Sequence, residues 1–138
     1  DNSEHIAIVH GDITPDSTTI VRVHRTDVLA DVLGETGPRQ GLVGKAMRII
    51  ADADEPGVVV FVNSMRPNVL AERLGLKTNT SHDPSAPLRE YGIGAQILRE
   101  LGVRKMTFLS DTQPTRVAGL DGYGLTIEGW RRLNEETN

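Results

Sequence analysis

The chain has 138 residues, enough for one compact domain with one real core. Its 38% apolar and 25% charged residues are those of an ordinary globular protein, and fourteen glycines and seven prolines with few aromatics indicate a turn-rich α/β domain. A net charge of −4 argues against binding nucleic acid or anionic membranes, and the lack of cysteine excludes disulfides and thiolate metal sites. With no long apolar run and no signal-like opening, a cytoplasmic location is expected.

The segment "HIAIVHGDI" alternates apolar and polar residues over Ile6 to His10 and then meets Gly11-Asp12, which predicts a half-buried strand ending at a turn. "TTIVRVHR" predicts a second strand, with Ile20, Arg22 and His24 on one face and Val21 and Val23 on the other. The two are expected to form a hairpin or to lie side by side. Between Pro38 and Ala51, apolar residues at Leu42, Val43, Ala46, Met47, Ile49 and Ile50 recur at helical spacing, and Pro56-Gly57 stops the pattern. "GVVVFVN" is a continuous apolar run, as in a strand covered on both faces.

Residues 77–87, polar with two prolines, predict an exposed loop. From Leu88 to Leu101 a second helix places Leu88, Tyr91, Ala95, Leu98 and Leu101 on one stripe, with Gly102 at its left-handed end. "KMTFLS" predicts a strand, "PTRVAGL" a short helix with Pro114 near its start, and "YGLTIEGW" the last strand. The alternation of strand and helix predicts an α/β fold with a largely parallel sheet and flanking helices.

Taken without any family, the motifs leave function open. His10 with Asp12, and His24 with Asp27, are conceivable metal ligands, but ordinary strand hydrogen bonding explains them more simply. "YGIGAQ" lacks the third glycine and preceding strand of a dinucleotide fingerprint, and reads instead as a helix start packed closely on a neighbour. Arg89 at the head of a helix is placed to hold an anion, although a solvated surface arginine is the commoner case. Trp130, expected to be exposed, is a weak interface marker.

Five stretches in order, "EHIAIVHGDI", "VRVH", "GVVVFV", "REYGIGAQILRELGVRKMTFLS" and "RVAGLDGYGL", resemble GTP cyclohydrolase II, the riboflavin-pathway enzyme that opens the guanine ring and releases formate and pyrophosphate. The wording is most similar to fused versions, in which this domain follows 3,4-dihydroxy-2-butanone 4-phosphate synthase. A chain opening at Asp1 suits the C-terminal piece of such a bacterial fusion, so residues 1–138 are expected to form one shortened domain of a longer protein. By resemblance, Arg89 matches the family's nucleophilic arginine, and Arg22, His24, Ser110 and Arg116 stand at nucleotide-contacting positions.

The departures fall on the chemistry. Where the family's "VRVH" continues as Ser-Glu-Cys, with Cys a zinc ligand, Arg25, Thr26 and Asp27 stand here. The Cys-x-Cys pair is replaced near Pro38–Gln40 by "PRQ", and the aspartate general base before Arg89 by Pro87. The triphosphate-binding segment reads "NSMRPNVLAERL" instead. Zinc generates hydroxide at neutral pH, and an open catalytic site needs three protein ligands. The resemblance therefore implies a degenerate domain without zinc, with Arg89 vestigial, silent toward GTP. It would act structurally or in regulation beside the synthase domain and form homodimers. Two alternatives are a nucleotide- or phosphate-binding regulatory module, and residual cyclohydrolase chemistry on a metal held by His24 and Asp27.

Overall fold

A computed structural model describes residues 4–63, 69–75, 86–111 and 121–134. Strand β1 (Ile6–His10) is followed by β2 (Thr18–Arg25), a single-turn helix α1 (Val28–Asp31), helix α2 (Leu42–Asp52) and strand β3 (Gly57–Val62). Short helix α3 (Val69–Arg73), long helix α4 (Ala86–Glu100), strand β4 (Lys105–Leu109), a 3-10 turn (Asp121–Tyr123) and strand β5 (Thr126–Arg131) complete the described elements. The strands form one sheet in the order β1-β3-β2-β4-β5. β2 runs parallel to both β3 and β4, β4 parallel to β5, and only β1 is antiparallel to its neighbour. This is the mixed, mostly parallel α/β sheet expected from the alternation of elements.

The strand faces follow from side-chain alternation. Val21 of β2 and Val58, Val60 and Val62 of β3 pack with Ala95 and Leu98 of α4, together with Met106, Phe108 and Leu125. On the opposite face, Ile20, Val59 and Leu109 meet Leu42, Ala46 and Ile50 of α2. β3 is thus covered on both sides, as its unbroken apolar run requires. Ile20, Arg22 and His24 lie on the α2 side, where the alternation of β2 puts them, and all three are buried.

Four expectations need correction. β1 and β2 are neither a hairpin nor neighbours, because β3 lies between them. The most continuously apolar strand takes the interior position, and β1, with Ile6, Ile8 and Val9 exposed, is left at the edge. Helix α2 begins at Leu42, the first apolar residue of its stripe, directly after Gly41 at φ 69°. The "YGIGAQ" glycines sit within α4 rather than at its start, yet they do serve close packing. A Cβ at Gly94 would lie 3.2 Å from Val23 Cγ1. The last strand starts at Thr126, because residues 121–123 form the 3-10 turn. Gly102 does end α4 with φ 96°. The loop expected over 77–87 is shorter at its end, because Ala86 and Pro87 already belong to the first turn of α4, where proline is tolerated; the rest of that loop and the short helix near Pro114 lie outside the described residues. No helix among the described residues is long and apolar enough to cross a membrane.

Candidate functional site

Parallel sheets present their loops, and with them their ligand sites, at the carboxyl ends of the strands. Here that end of β2 delivers Arg22 and His24, and the chain then turns through Thr26 into α1. Asp27 caps this helix: its Oδ1 accepts from the backbone N–H groups of Leu29, at 3.1 Å, and Ala30, at 3.4 Å. Asp31, one turn later, folds back so that its Oδ2 accepts from the Asp27 backbone N–H at 2.8 Å.

Asp31 also fixes His24. His24 Nε2 lies 2.8 Å from the same Asp31 Oδ2, while its Nδ1 is 3.1 Å from Arg22 Nη2. Arginine can only donate, so Nδ1 accepts and the imidazole proton resides on Nε2. The ring is wholly buried and meets Phe61 edge-on, with centroids 5.8 Å apart. Burial pushes the His24 pKa below its ordinary value, with Arg22 adding to the effect and the Asp31 hydrogen bond opposing it. The chain Arg22–His24–Asp31 therefore runs from guanidinium through a neutral imidazole to a carboxylate, and both ring nitrogens are used.

Arg22 is itself buried, and its Nη1 donates to the Leu109 carbonyl at 3.3 Å. Desolvation lowers the Arg22 pKa, and the nearby charge of Arg39 lowers it further. Arg39 comes from the "PRQ" segment. Its Nη2 donates to the Arg25 carbonyl at 2.7 Å, and its Nε lies 3.4 Å from Asp27 Oδ2. Asp27 Oδ2 also accepts from Arg73 Nε of α3 at 3.0 Å, and Arg73 Nη2 reaches Glu35. Burial raises the Asp27 pKa, but hydrogen bonds from Arg73 and the Ala30 N–H, with the charges of Arg73 and Arg39, hold it below the usual carboxylate range. One carboxylate thus ties together the end of β2, the 33–41 segment and α3.

A cleft of about 520 Å³ opens beside this network, lined among others by Arg22, Arg39, Tyr91, Ser110 and Asp111. Asp111 is spent on structure. Its Oδ1 accepts from the backbone N–H groups of Leu133 and Asn134, and its Oδ2 from the Asn134 side chain.

Of the residues singled out from sequence, the structure brings Arg22 and Ser110 to one cleft and places His24 behind Arg22, away from the cleft wall. Arg116 and the Arg89 side chain lie outside the described residues. Trp130 is half-buried rather than exposed: its Nε1 donates to the Ser110 carbonyl at 2.6 Å, and the Arg132 guanidinium lies 5.4 Å from its ring centre. The sequence alone does not mark Asp31, Arg39, Arg73 or Tyr91 as site residues. Asp27 ahead of "VLAD" was a readable helix cap, an aspartate following an extended segment. Nothing local announces that Arg73, far along the chain, would come to it.

The family model for GTP cyclohydrolase II matches residues 1–132. The chain is 42% identical to the monofunctional riboflavin biosynthesis protein RIBA 2, chloroplastic, of Arabidopsis thaliana, over 94% of this chain and 28% of that protein. It is 37% identical to the riboflavin biosynthesis protein RibBA of Bacillus subtilis, over 92% of this chain and 35% of the relative. A 3,4-dihydroxy-2-butanone 4-phosphate synthase of Pseudomonas syringae pv. tomato is 36% identical over 89% of this chain and 34% of its own length. The chain thus spans about a third of each of these curated relatives.

Proposed function

The chain belongs to the GTP cyclohydrolase II family, and from that premise we propose that it is a member silent toward GTP, serving riboflavin biosynthesis as a structural or regulatory domain. One observation carries this reading: the Asp27 carboxylate, at the position of the family's first zinc ligand, is occupied by a helix cap and two arginines. A zinc site with three protein ligands would need anionic or imidazole donors converging there. Instead Arg39 brings a positive charge from the segment that replaces Cys-x-Cys, and Pro38 and Gln40 supply no ligand of useful type. His24 has both nitrogens engaged, so the alternative of a metal held by His24 and Asp27 would have to break the Arg22–His24–Asp31 chain as well. The residues present do not fit zinc.

In this reading the domain acts in the cytoplasm, attached to a 3,4-dihydroxy-2-butanone 4-phosphate synthase domain, and contributes to dimer formation. The name of the Pseudomonas syringae relative supports that pairing, and the exposed Ile6 and Ile8 of edge strand β1 support a role in protein contacts. A second reading, a regulatory module that holds a nucleotide or phosphorylated ligand through Arg22, Ser110 and Arg116, is favoured by one specific observation. Arg22 lines the cleft while buried and positively charged.

The test is turnover of GTP by the purified chain with added zinc, following formate, beside the Bacillus subtilis relative under the same conditions. No formate above the enzyme-free background is expected from this chain. Sustained formate release would overturn the silent reading.

A further inference from the structure

Helices α1 and α3 turn polar side chains inward and apolar ones outward. Asp27 caps α1, Asp31 turns in to His24, and Arg73 reaches across to Asp27 and Glu35. The large apolar side chains face solvent instead: Val28 is 45%, Val32 72% and Leu33 70% exposed, and Leu70 49% and Leu74 56%. These are five of the ten exposed large apolar residues among the described ones, gathered on or just after two helices of four and five residues. Such side chains scattered singly are ordinary, but a group of them marks a surface that something covers.

Neither helix joins the core. Among the described residues, none of 28–33 or 69–75 belongs to either apolar cluster, and helices this short do not persist on backbone bonds alone. Ionic contacts place them: Arg73 ties α3 to Asp27 and Glu35, and Asp31 ties α1 to the buried His24. Val28 and Leu33 flank the acidic ends of the Arg73 tie, and Leu70 and Leu74 share the helical side of Arg73. The tie therefore sets the two apolar stripes side by side.

The incoming chain reaches the same end of the sheet. Ile6, 59% exposed, shares a rung with Phe61 and His24, and α1 meets that His24 through Asp31. Asn63, just after β3, donates from its backbone N–H to His5 Nδ1 at 3.1 Å and from its side chain to the Glu4 carbonyl. Thr26, one residue before the α1 cap, donates to the Val62 carbonyl at 3.1 Å. Polypeptide preceding Glu4 thus arrives beside the start of α1. The chain matches only 28–35% of the length of the relatives named above.

We propose that α1 and α3 form the docking face for a domain upstream in the same polypeptide, which lays an apolar surface on Val28, Val32, Leu33, Leu70 and Leu74. Covering these side chains removes apolar area from water, the main favourable term in such contacts. The inference deepens the reading of an attached domain given above and rests on it. What it adds is the surface where the two domains meet.

Amide hydrogen exchange tests it, measured on this 138-residue chain and on the polypeptide that its full gene encodes. Exchange at residues 28–35 and 69–75 is expected to be about tenfold or more slower in the longer polypeptide, because covering a locally weak segment raises its opening free energy. Leu33→Ser combined with Leu74→Ser should abolish that difference, whereas Met47→Ser, at an exposed position of α2, should leave it intact. Leu33 and Leu74 are both more than half exposed, so the short chain should melt at nearly the same temperature with and without the changes. Equal exchange in the two polypeptides, with an upstream domain present, overturns the docking face and leaves the attached-domain reading standing. Slowed exchange that survives the double variant overturns it as well. Exchange that slows in the short chain as its own concentration rises gives the face to a second copy and overturns the upstream occupant. A gene that encodes no upstream domain overturns both.

Discussion

His24 shows how one buried residue can hold a site together without touching a ligand. It passes a hydrogen bond from Arg22 to Asp31 and so fixes the buried arginine at the cleft wall. Replacing it with leucine takes the acceptor from the buried Arg22 Nη2 and one of two donors from Asp31 Oδ2, at about 1–3 kcal/mol for the unpaired buried group, which urea denaturation would measure. The pH dependence follows from its lowered pKa. Above 6.5 the imidazole is neutral in both folded and unfolded chains. As pH falls below that value the unfolded chain takes up a proton that the native ring resists, so stability is lost progressively toward the folded pKa. Unfolding free energy should therefore fall between pH 7 and pH 5, and the slope should be shallower in His24→Leu. An equal slope in both proteins would contradict the neutral, doubly bonded ring. In the sequence His24 could be placed on the Arg22 face of its strand by alternation alone. Its partner Asp31 could not, because that contact depends on how α1 folds back.

At the scale of elements, the seating of α2 on the sheet depends on one missing side chain. A Cβ on Gly57, the first residue of β3, would come within 2.4 Å of Ile50 Cγ2. Gly57→Ala is expected to cost about 1–3 kcal/mol by overpacking, and Ile50→Ala about 2–5 kcal/mol by leaving a cavity. The double variant should lose less than the sum, because the added methyl fills part of the space that the isoleucine vacates. Strict additivity in urea denaturation would show that the two residues do not share this contact. What could be read locally here was the helical stripe and the breaker after it. The first apolar residue of the stripe, Leu42, is also the first of α2, and the left-handed Gly41 before it sets that boundary. The 15-residue α4 is legible at its other end: a long stripe stops at a glycine whose φ is positive.

Over the whole molecule, fold class followed from the alternation of strands and helices, but strand order did not. Each strand's pattern says whether it is covered on one face or two, and nothing in β1 says that it will pair antiparallel with β3, which follows it in the chain only after β2, α1 and α2. The absence of zinc-binding cysteines was likewise plain in the sequence, whereas what takes their place was not. Asp27, Arg39 and Arg73 are brought together by three separate elements, and only the tertiary fold turns them into an ionic tie where the family's pattern implies a metal. In the reading proposed above, the molecule is a family scaffold in which Arg39 and Arg73 meet Asp27 where the family's pattern implies a metal.

Zinc content decides between an ionic tie and a metal site at Asp27. The chain would be incubated with excess zinc, dialysed against metal-free buffer, and its zinc measured by elemental mass spectrometry beside the Bacillus subtilis relative. Only trace zinc is expected on this chain, with a melting temperature that chelator leaves unchanged. One retained zinc ion per chain, with melting lowered by chelator, would contradict it.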